Sequence, residues 1–171
     1  MAITINRITN ANVYLDGGSQ LGRAEELKLP DIMMKMTEHK ALGMVATPEF
    51  FAGIDKMGGE IKWASFYPEV MAKVANPFKF VTLQARSSVS TLNAQGLAAE
   101  KPLVTLLTVG FTQYSAGNFK QHENADFPSK YTCYYMKQTF DGQDTVEIDV
   151  LSNIFKVNGV DLLANYRANV E

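Results

Sequence analysis

Tyr131-Thr132-Cys133-Tyr134-Tyr135-Met136-Lys137-Gln138-Thr139-Phe140, then Asp141-Gly142-Gln143, then Thr145-Val146-Glu147-Ile148-Asp149-Val150, is the stretch that decides the fold. Its first run is apolar on both faces, which predicts a strand covered on both sides. Asp141-Gly142 predicts a tight hairpin, because a two-residue turn needs residues that accept positive φ. Residues 145–150 then pair back across it. Downstream, residues 155–157 add a short extended piece, closed by Asn158-Gly159. Residues 160–168 read as an amphipathic helix, with Leu162, Leu163 and Tyr166 placed to dock on the sheets.

Upstream, residues 103–114 alternate most strongly, with Leu103, Leu107, Val109 and Phe111 on one face. Residues 87–102 are small and polar and predict a long, mobile hairpin tip. Residues 78–85 read as a strand, with Phe78 and Phe80 opposite Val81 and Leu83. Residues 68–75 predict a short helix, with Pro68 in its first turn and Val70, Met71 and Val74 as its apolar stripe. Residues 61–66 form a strand around Trp63. Residues 44–60 lack periodicity and carry Pro48, Gly53, Gly58, Gly59 and the adjacent Phe50 and Phe51, predicting a projecting loop. Exposing two phenylalanines would be costly in a monomer, so the loop either folds back or is covered by another subunit.

Nearer the N-terminus, residues 31–39 alternate, with Ile32, Met34 and Met36 against Met33, Lys35 and Thr37. Residues 22–29 are extended, with Leu27 and Leu29 on one face, and Pro30 interrupts. Residues 12–15 form a strand before the turn Asp16-Gly17-Gly18-Ser19. About eight strands and two short helices, joined mostly by hairpins, predict a mainly β, antiparallel sandwich or barrel-like fold. One helix is internal and one C-terminal. With no repeat and no dividing linker, residues 1–171 are expected to form a single domain.

The 171 residues are 46% hydrophobic and 20% charged, with a formal net charge of -2. Such a chain buries about two-thirds of its unfolded surface and needs no disulfide or metal to fold. The charge gives no footprint of nucleic-acid wrapping and leaves little self-repulsion to oppose close packing of copies. The lone Cys133 reads as a small buried hydrophobe. The first twelve residues lack a signal-peptide pattern, and no run approaches the ~18 apolar residues of a membrane span. A protein made in a cytoplasm is expected.

No catalytic constellation outweighs its structural alternative. His39 and His122 are far apart and read as solvated, and a metal site wants clustered ligands. Glu147 and Asp149 share one strand face near Asp144 and are the nearest candidate acid/base pair; a solvated or water-channel-facing strand face is the better explanation of them. Gly17-Gly18 and Gly58-Gly59 precede no helix at phosphate-loop spacing and read as turns. Lys and Arg are dispersed, without the aromatic interleaving of single-strand binders. Catalytic residues, cofactors and metals are therefore expected to be absent.

Two ordered patterns stand out. One is Tyr14-Leu15-Asp16-Gly17-Gly18-Ser19-Gln20-Leu21-Gly22, Leu27-Lys28-Leu29-Pro30, Lys35-Met36-Thr37-Glu38 and Gly43-Met44. The other is Tyr134-Tyr135, Asp141-Gly142, Val146-Glu147-Ile148-Asp149, Lys156-Val157-Asn158-Gly159-Val160-Asp161-Leu162-Leu163 and Arg167. Between them lie Gly53-Ile54-Asp55-Lys56-Met57 and Trp63. The whole resembles the major tail tube proteins of P2-like contractile-tailed bacteriophages and the equivalent tube subunits of contractile bacteriocins. Residues 87–102 depart from the pattern, being longer and richer in Ser and Ala.

The resemblance implies a β-sandwich-like subunit that forms hexameric rings stacked into a rigid tube inside a contractile sheath. The tube penetrates the target envelope and conducts DNA, or carries none in a bacteriocin. Implied partners are further copies of the chain, the sheath, the tape-measure protein, the baseplate hub and the tail terminator, with double-stranded DNA in transit. The implied location is the virion tail, after assembly in the host cytoplasm. Phe50, Phe51, Ile54 and Met57 are the expected contacts between subunits and rings. Glu26, Lys28, Lys35, Thr37, Gln84 and Thr105 are the polar residues expected to be available to the channel. Two other classes remain open. One is a β-barrel carrier of an apolar ligand, lined by Met33–Met36; the other is a hydrolase using Glu147 and Asp149.

Overall fold

The computed structural model describes residues 3–170. Its strands are β1 (Ile5–Arg7), β2 (Ala11–Leu15), β3 (Gly18–Ser19), β4 (Ala24–Lys28), β5 (Met34–Glu38), β6 (Glu49–Ile54), β7 (Gly58–Trp63), β8 (Val81–Asn93), β9 (Gly96–Phe111), β10 (Phe127–Phe140), β11 (Gln143–Asp149), β12 (Ile154–Val157) and β13 (Val160–Asp161). Helix α1 (Pro68–Val74) is internal and α2 (Ala164–Val170) is C-terminal. The described pairings between strands are all antiparallel, and the mainly β fold expected from the sequence is what forms.

One large sheet runs β13-β12-β11-β10-β9-β8-β2-β3. Strand β10 belongs to it through residues 131–140 and pairs with β7 through residues 127–132. Strand β4 pairs with the outer side of β7. The chain thereby folds a small second layer, β4-β7, over the main sheet. Between the layers lies the core: Leu83, Leu107 and Val109 from the main sheet, Ile61 and Trp63 from β7, and Val70, Met71 and Val74 from α1. Leu27 packs against this core from β4.

Three tight turns form where the sequence places them. Asp16-Gly17, Asp141-Gly142 and Asn158-Gly159 each combine a residue near φ 50° with a glycine at 80°. Positive φ at both central positions gives the turn twist that matches paired strands. Gly58 and Gly59, in contrast, are not a turn. They open strand β7 opposite Thr132 and Tyr131. A Cβ on Gly59 would collide with the Lys28 carbonyl oxygen and the Tyr131 hydroxyl. That hydroxyl crosses the glycine and donates to the Lys28 carbonyl at 2.8 Å, tying β10 to β4.

Several expectations need correction. Residues 44–60 are not one loop: they contain β6 and the start of β7. Strand β6 pairs with β5 as a separate two-stranded sheet. Residues 87–102 form an ordered ribbon: β8 and β9 pair from Ser87↔Leu103 to Asn93↔Gly96 with one register shift between Thr91 and Leu92, and β1 adds a third strand along β8. Residues 160–168 begin as strand, because the Asn158-Gly159 turn sends Val160 and Asp161 back along β12. The helix starts later, where Asp161 Oδ1 accepts the Leu163 N–H at 3.0 Å. Leu163 packs on the core, whereas Leu162 and Tyr166 are exposed.

Candidate channel and assembly surfaces

Strand alternation gives the main sheet two unlike faces. Leu15, Leu83, Leu107, Met136, Ile148 and Phe155 stand opposite one another on six neighbouring strands, and all six are buried. One position away on the same strands stands a second row: Tyr14, Gln84, Leu106, Lys137, Glu147 and Lys156, ending on Asp161 of β13. This row faces away from the core. Strand β10 was expected to be covered on both sides, yet Tyr135, Lys137 and Thr139 are only half-buried.

The four charged residues of this row are each held in an ion pair. Lys137 Nζ lies 2.8 Å from Asp144 Oδ2, and Lys156 Nζ lies 3.1 Å from Glu147 Oε2. Asp161 is held by the Arg167 guanidinium. Arg86 stacks 4.8 Å from the centre of the Tyr14 ring and donates to Gln84 Oε1 at 3.0 Å. Tyr135 donates its hydroxyl to Glu147 Oε1 at 2.9 Å. That hydrogen bond and Lys156 hold the Glu147 carboxyl below its ordinary pKa. Lys137 and the Thr139 hydroxyl do the same for Asp144, and Arg167 for Asp161. Burial, with the Glu147 carboxylate second, pushes the Tyr135 hydroxyl up to about 12.

These facts also define the proposed acid/base pair. A general acid needs a carboxyl raised toward neutrality, and Glu147 is shifted the other way. Asp149 is engaged in its own turn, accepting the Leu151 and Ser152 N–H groups at 3.0 and 3.1 Å and the Ser152 hydroxyl at 2.8 Å. No group of three His, Cys, Asp or Glu among the described residues is placed to hold a metal ion. Cys133 is buried and its thiol is pushed up to about 12 by desolvation, so it is an inert core residue.

The six residues expected at the channel do not converge. Gln84 lies on the open face of the main sheet. Glu26 and Lys28 lie on the outer face of β4, beside Lys62 and Glu60, with the core between them and Gln84. Lys35 and Thr37 belong to the separate β5-β6 hairpin. Thr105 is a correction: it is 2% exposed on the inner face, where its hydroxyl accepts a 3.3 Å hydrogen bond from Gln138. Odd positions of β9 point inward, so the polar Thr105 was assigned to the wrong face. Lys137, Lys156 and Asp161 were not singled out beside Glu147, although the alternation of those residues around Met136, Ile148 and Phe155 carried the signal.

The expected contact residues divide similarly. Phe50 is 59% exposed and Phe51 45%, although Phe51 leans toward Phe155 with ring centres 6.5 Å apart. Ile54 packs against the core. Met57 is a second correction: at 2% exposure it is buried in its own subunit, because its carbonyl accepts the Cys133 N–H and fixes it under β10. The hairpin also exposes Met34 and Met36, and its connecting segment exposes Leu42, Met44 and Val45. An exposed apolar projection of this kind marks an interaction surface.

A two-layered β subunit with an ion-paired row on its open face and apolar projections defines a structural assembly protein. Residues 5–170 match the phage tail tube protein FII family, and the chain belongs to it. It is accordingly a structural protein of phage tails and not an enzyme. It is 28% identical over 168 residues to the tail tube protein of Escherichia phage P2, covering 93% of each chain. Among solved structures it resembles a chain of the PVC extracellular contractile injection system, from the sheath-tube complex in its extended state. That match has a TM-score of 0.55 and 11% identity, over 76% of this chain and 88% of the other. A chain of the same system's sheath/tube terminator matches with a TM-score of 0.57 and 11% identity, over 76% and 93%.

Proposed function

We propose that six copies of this chain, each a single domain, close into a ring, and that rings stack into the rigid inner tube of a contractile phage tail. The open face of the main sheet forms the channel wall, with Gln84 and the Lys137–Glu147–Lys156–Asp161 row in it. The observation carrying this reading is that row: six of its seven strands present a polar side chain, and its four charged residues, Lys137, Glu147, Lys156 and Asp161, are all in ion pairs. Each unpaired cation would add a phosphate contact and slow the passage of DNA; paired charges keep the wall wet without gripping the duplex. The outer face of β4 and β7 then points outward, toward a sheath.

The β5-β6 hairpin, with Phe50 and Phe51, makes contact between rings, where its apolar side chains are covered. Sheath, terminator, baseplate hub and tape-measure protein complete the assembly, which is built in the host cytoplasm. When the sheath shortens, the tube is driven through the target envelope and conducts DNA. Size-exclusion chromatography and negative-stain microscopy of the pure protein test this: rings or tubes are expected. A protein that stays monomeric at high concentration, even with baseplate nuclei added, overturns it.

A further inference from the structure

Strand β8 brings one more charge to the open face of the main sheet. Gln84, Arg86 and Ser88 alternate with the inward Leu83, Ala85 and Ser87, and Arg86 is exposed. Lys137 and Lys156 on this face are held by carboxylates; Arg86 has no carboxylate partner among the described residues. Its neighbours across the strands are Asn12 and Val104. Asp144 stands level with it but three strands away, roughly 14 Å at the usual strand spacing, and pairs with Lys137. Glu100 lies beside Ser90, about 13 Å along β8, and accepts the Ser90 hydroxyl at 3.2 Å. Arg7, the next cation along the ribbon, stands level with that glutamate.

The Arg86 guanidinium is nevertheless held in place. It stacks 4.8 Å from the centre of the Tyr14 ring, and its Nε donates to Gln84 Oε1 at 3.0 Å. Its two terminal nitrogens have no partner among the described residues. Arg86 borders a shallow hollow of about 250 Å³, lined also by Asn10, Asn12 and Ser88, whose side chains can donate further hydrogen bonds.

We propose that Arg86 is a phosphate contact of the channel wall, its two terminal nitrogens taking two oxygens of one phosphodiester of the passing duplex. The planar fork of an arginine matches phosphate bidentately. Tyr14 and Gln84 fix its plane beforehand, so little side-chain freedom is lost when a phosphate arrives. The inference rests on the channel reading and names the residue at which that wall meets DNA. One such contact is weak at physiological salt, so it steadies the duplex without arresting it.

Tubes of wild type, R86Q and R86K, mixed with a short fluorescent linear duplex over a salt series, test it. Thermal melts and sedimentation establish folding and polymerisation. Wild-type tubes are expected to retain the duplex, less so as salt rises. R86Q is expected to weaken retention about tenfold at ~50 mM salt and to flatten its salt dependence. R86K, which keeps the charge and loses the fork, is expected between the two. Closed circular DNA cannot thread a channel and should not be retained. Retention by R86Q equal to wild type, no retention by wild-type tubes, or equal retention of circular and linear DNA overturns the contact and leaves the tube reading standing. R86Q that folds yet no longer polymerises assigns Arg86 to a contact between copies and overturns the phosphate site likewise. Wild-type protein that forms no polymer overturns the tube reading and the contact with it.

Discussion

Leu106 and Leu107 are chemically identical neighbours, and they belong to different parts of the molecule. Leu107 is completely buried at the centre of the inner row, between Leu83 and Met136. Leu106 lies on the outer row between Gln84 and Lys137. Alternation of side chains decides the difference. The inner row holds the subunit together by burying apolar surface. The outer row contributes little to that and sets the character of a surface. The same six strands therefore carry stability on one face and function on the other, and substitutions should separate the two.

The largest expected effect lies on the inner row. Leu107→Ala should lose about 2–5 kcal/mol of stability, because the removed methyl groups leave a cavity that the sheets cannot close. Urea unfolding measures it; a loss no greater than that of Leu106→Ala would erase the distinction between the faces. Acid should come next, acting on the outer row. Asp144, Glu147 and Asp161 all have depressed carboxyl pKa values. Their contribution is complete above the unfolded-state values and is lost as pH falls through the folded ones. Melting temperature should therefore drop below about pH 4.5, and less steeply in a D144N/E147Q/D161N variant.

Smaller still is Leu106→Ala, expected to cost under about 1 kcal/mol by urea unfolding, since its side chain is only half-buried. The least change in subunit stability is expected from F50S/F51S, within about 0.5 kcal/mol, because both rings are exposed. The same double variant should lose ring stacking by microscopy. Normal tubes from it would remove the β5-β6 hairpin from the contacts between rings.

Much of this was legible before any coordinates. Asp-Gly and Asn-Gly fixed three turns through their tolerance of positive φ, and the alternation of Leu103, Leu107, Val109 and Phe111 marked the inner face of β9. The resemblance carried by residues 12–167 led to the family. Legibility ended where local signals compete. Gly58 and Gly59 resemble a turn because their reason for being glycine is Tyr131, more than seventy residues away in sequence. The Ser- and Ala-rich ribbon resembles a loose tip because its order comes from cross-strand pairing, including pairing with β1 at the other end of the chain. Thr105 and Met57 resemble surface residues because polarity and an irregular context say nothing of what lies above them.

By itself, then, the sequence determined periodicity, turns and kinship, all properties of neighbours along the chain. Tertiary structure alone decided which residues stand abreast across the sheet. It put Lys137, Glu147, Lys156 and Asp161 into one charge-balanced row, and it left Arg86 on the same face with no carboxylate beside it. Register depends on how hairpins stack across the whole sheet, and no single segment carries that information.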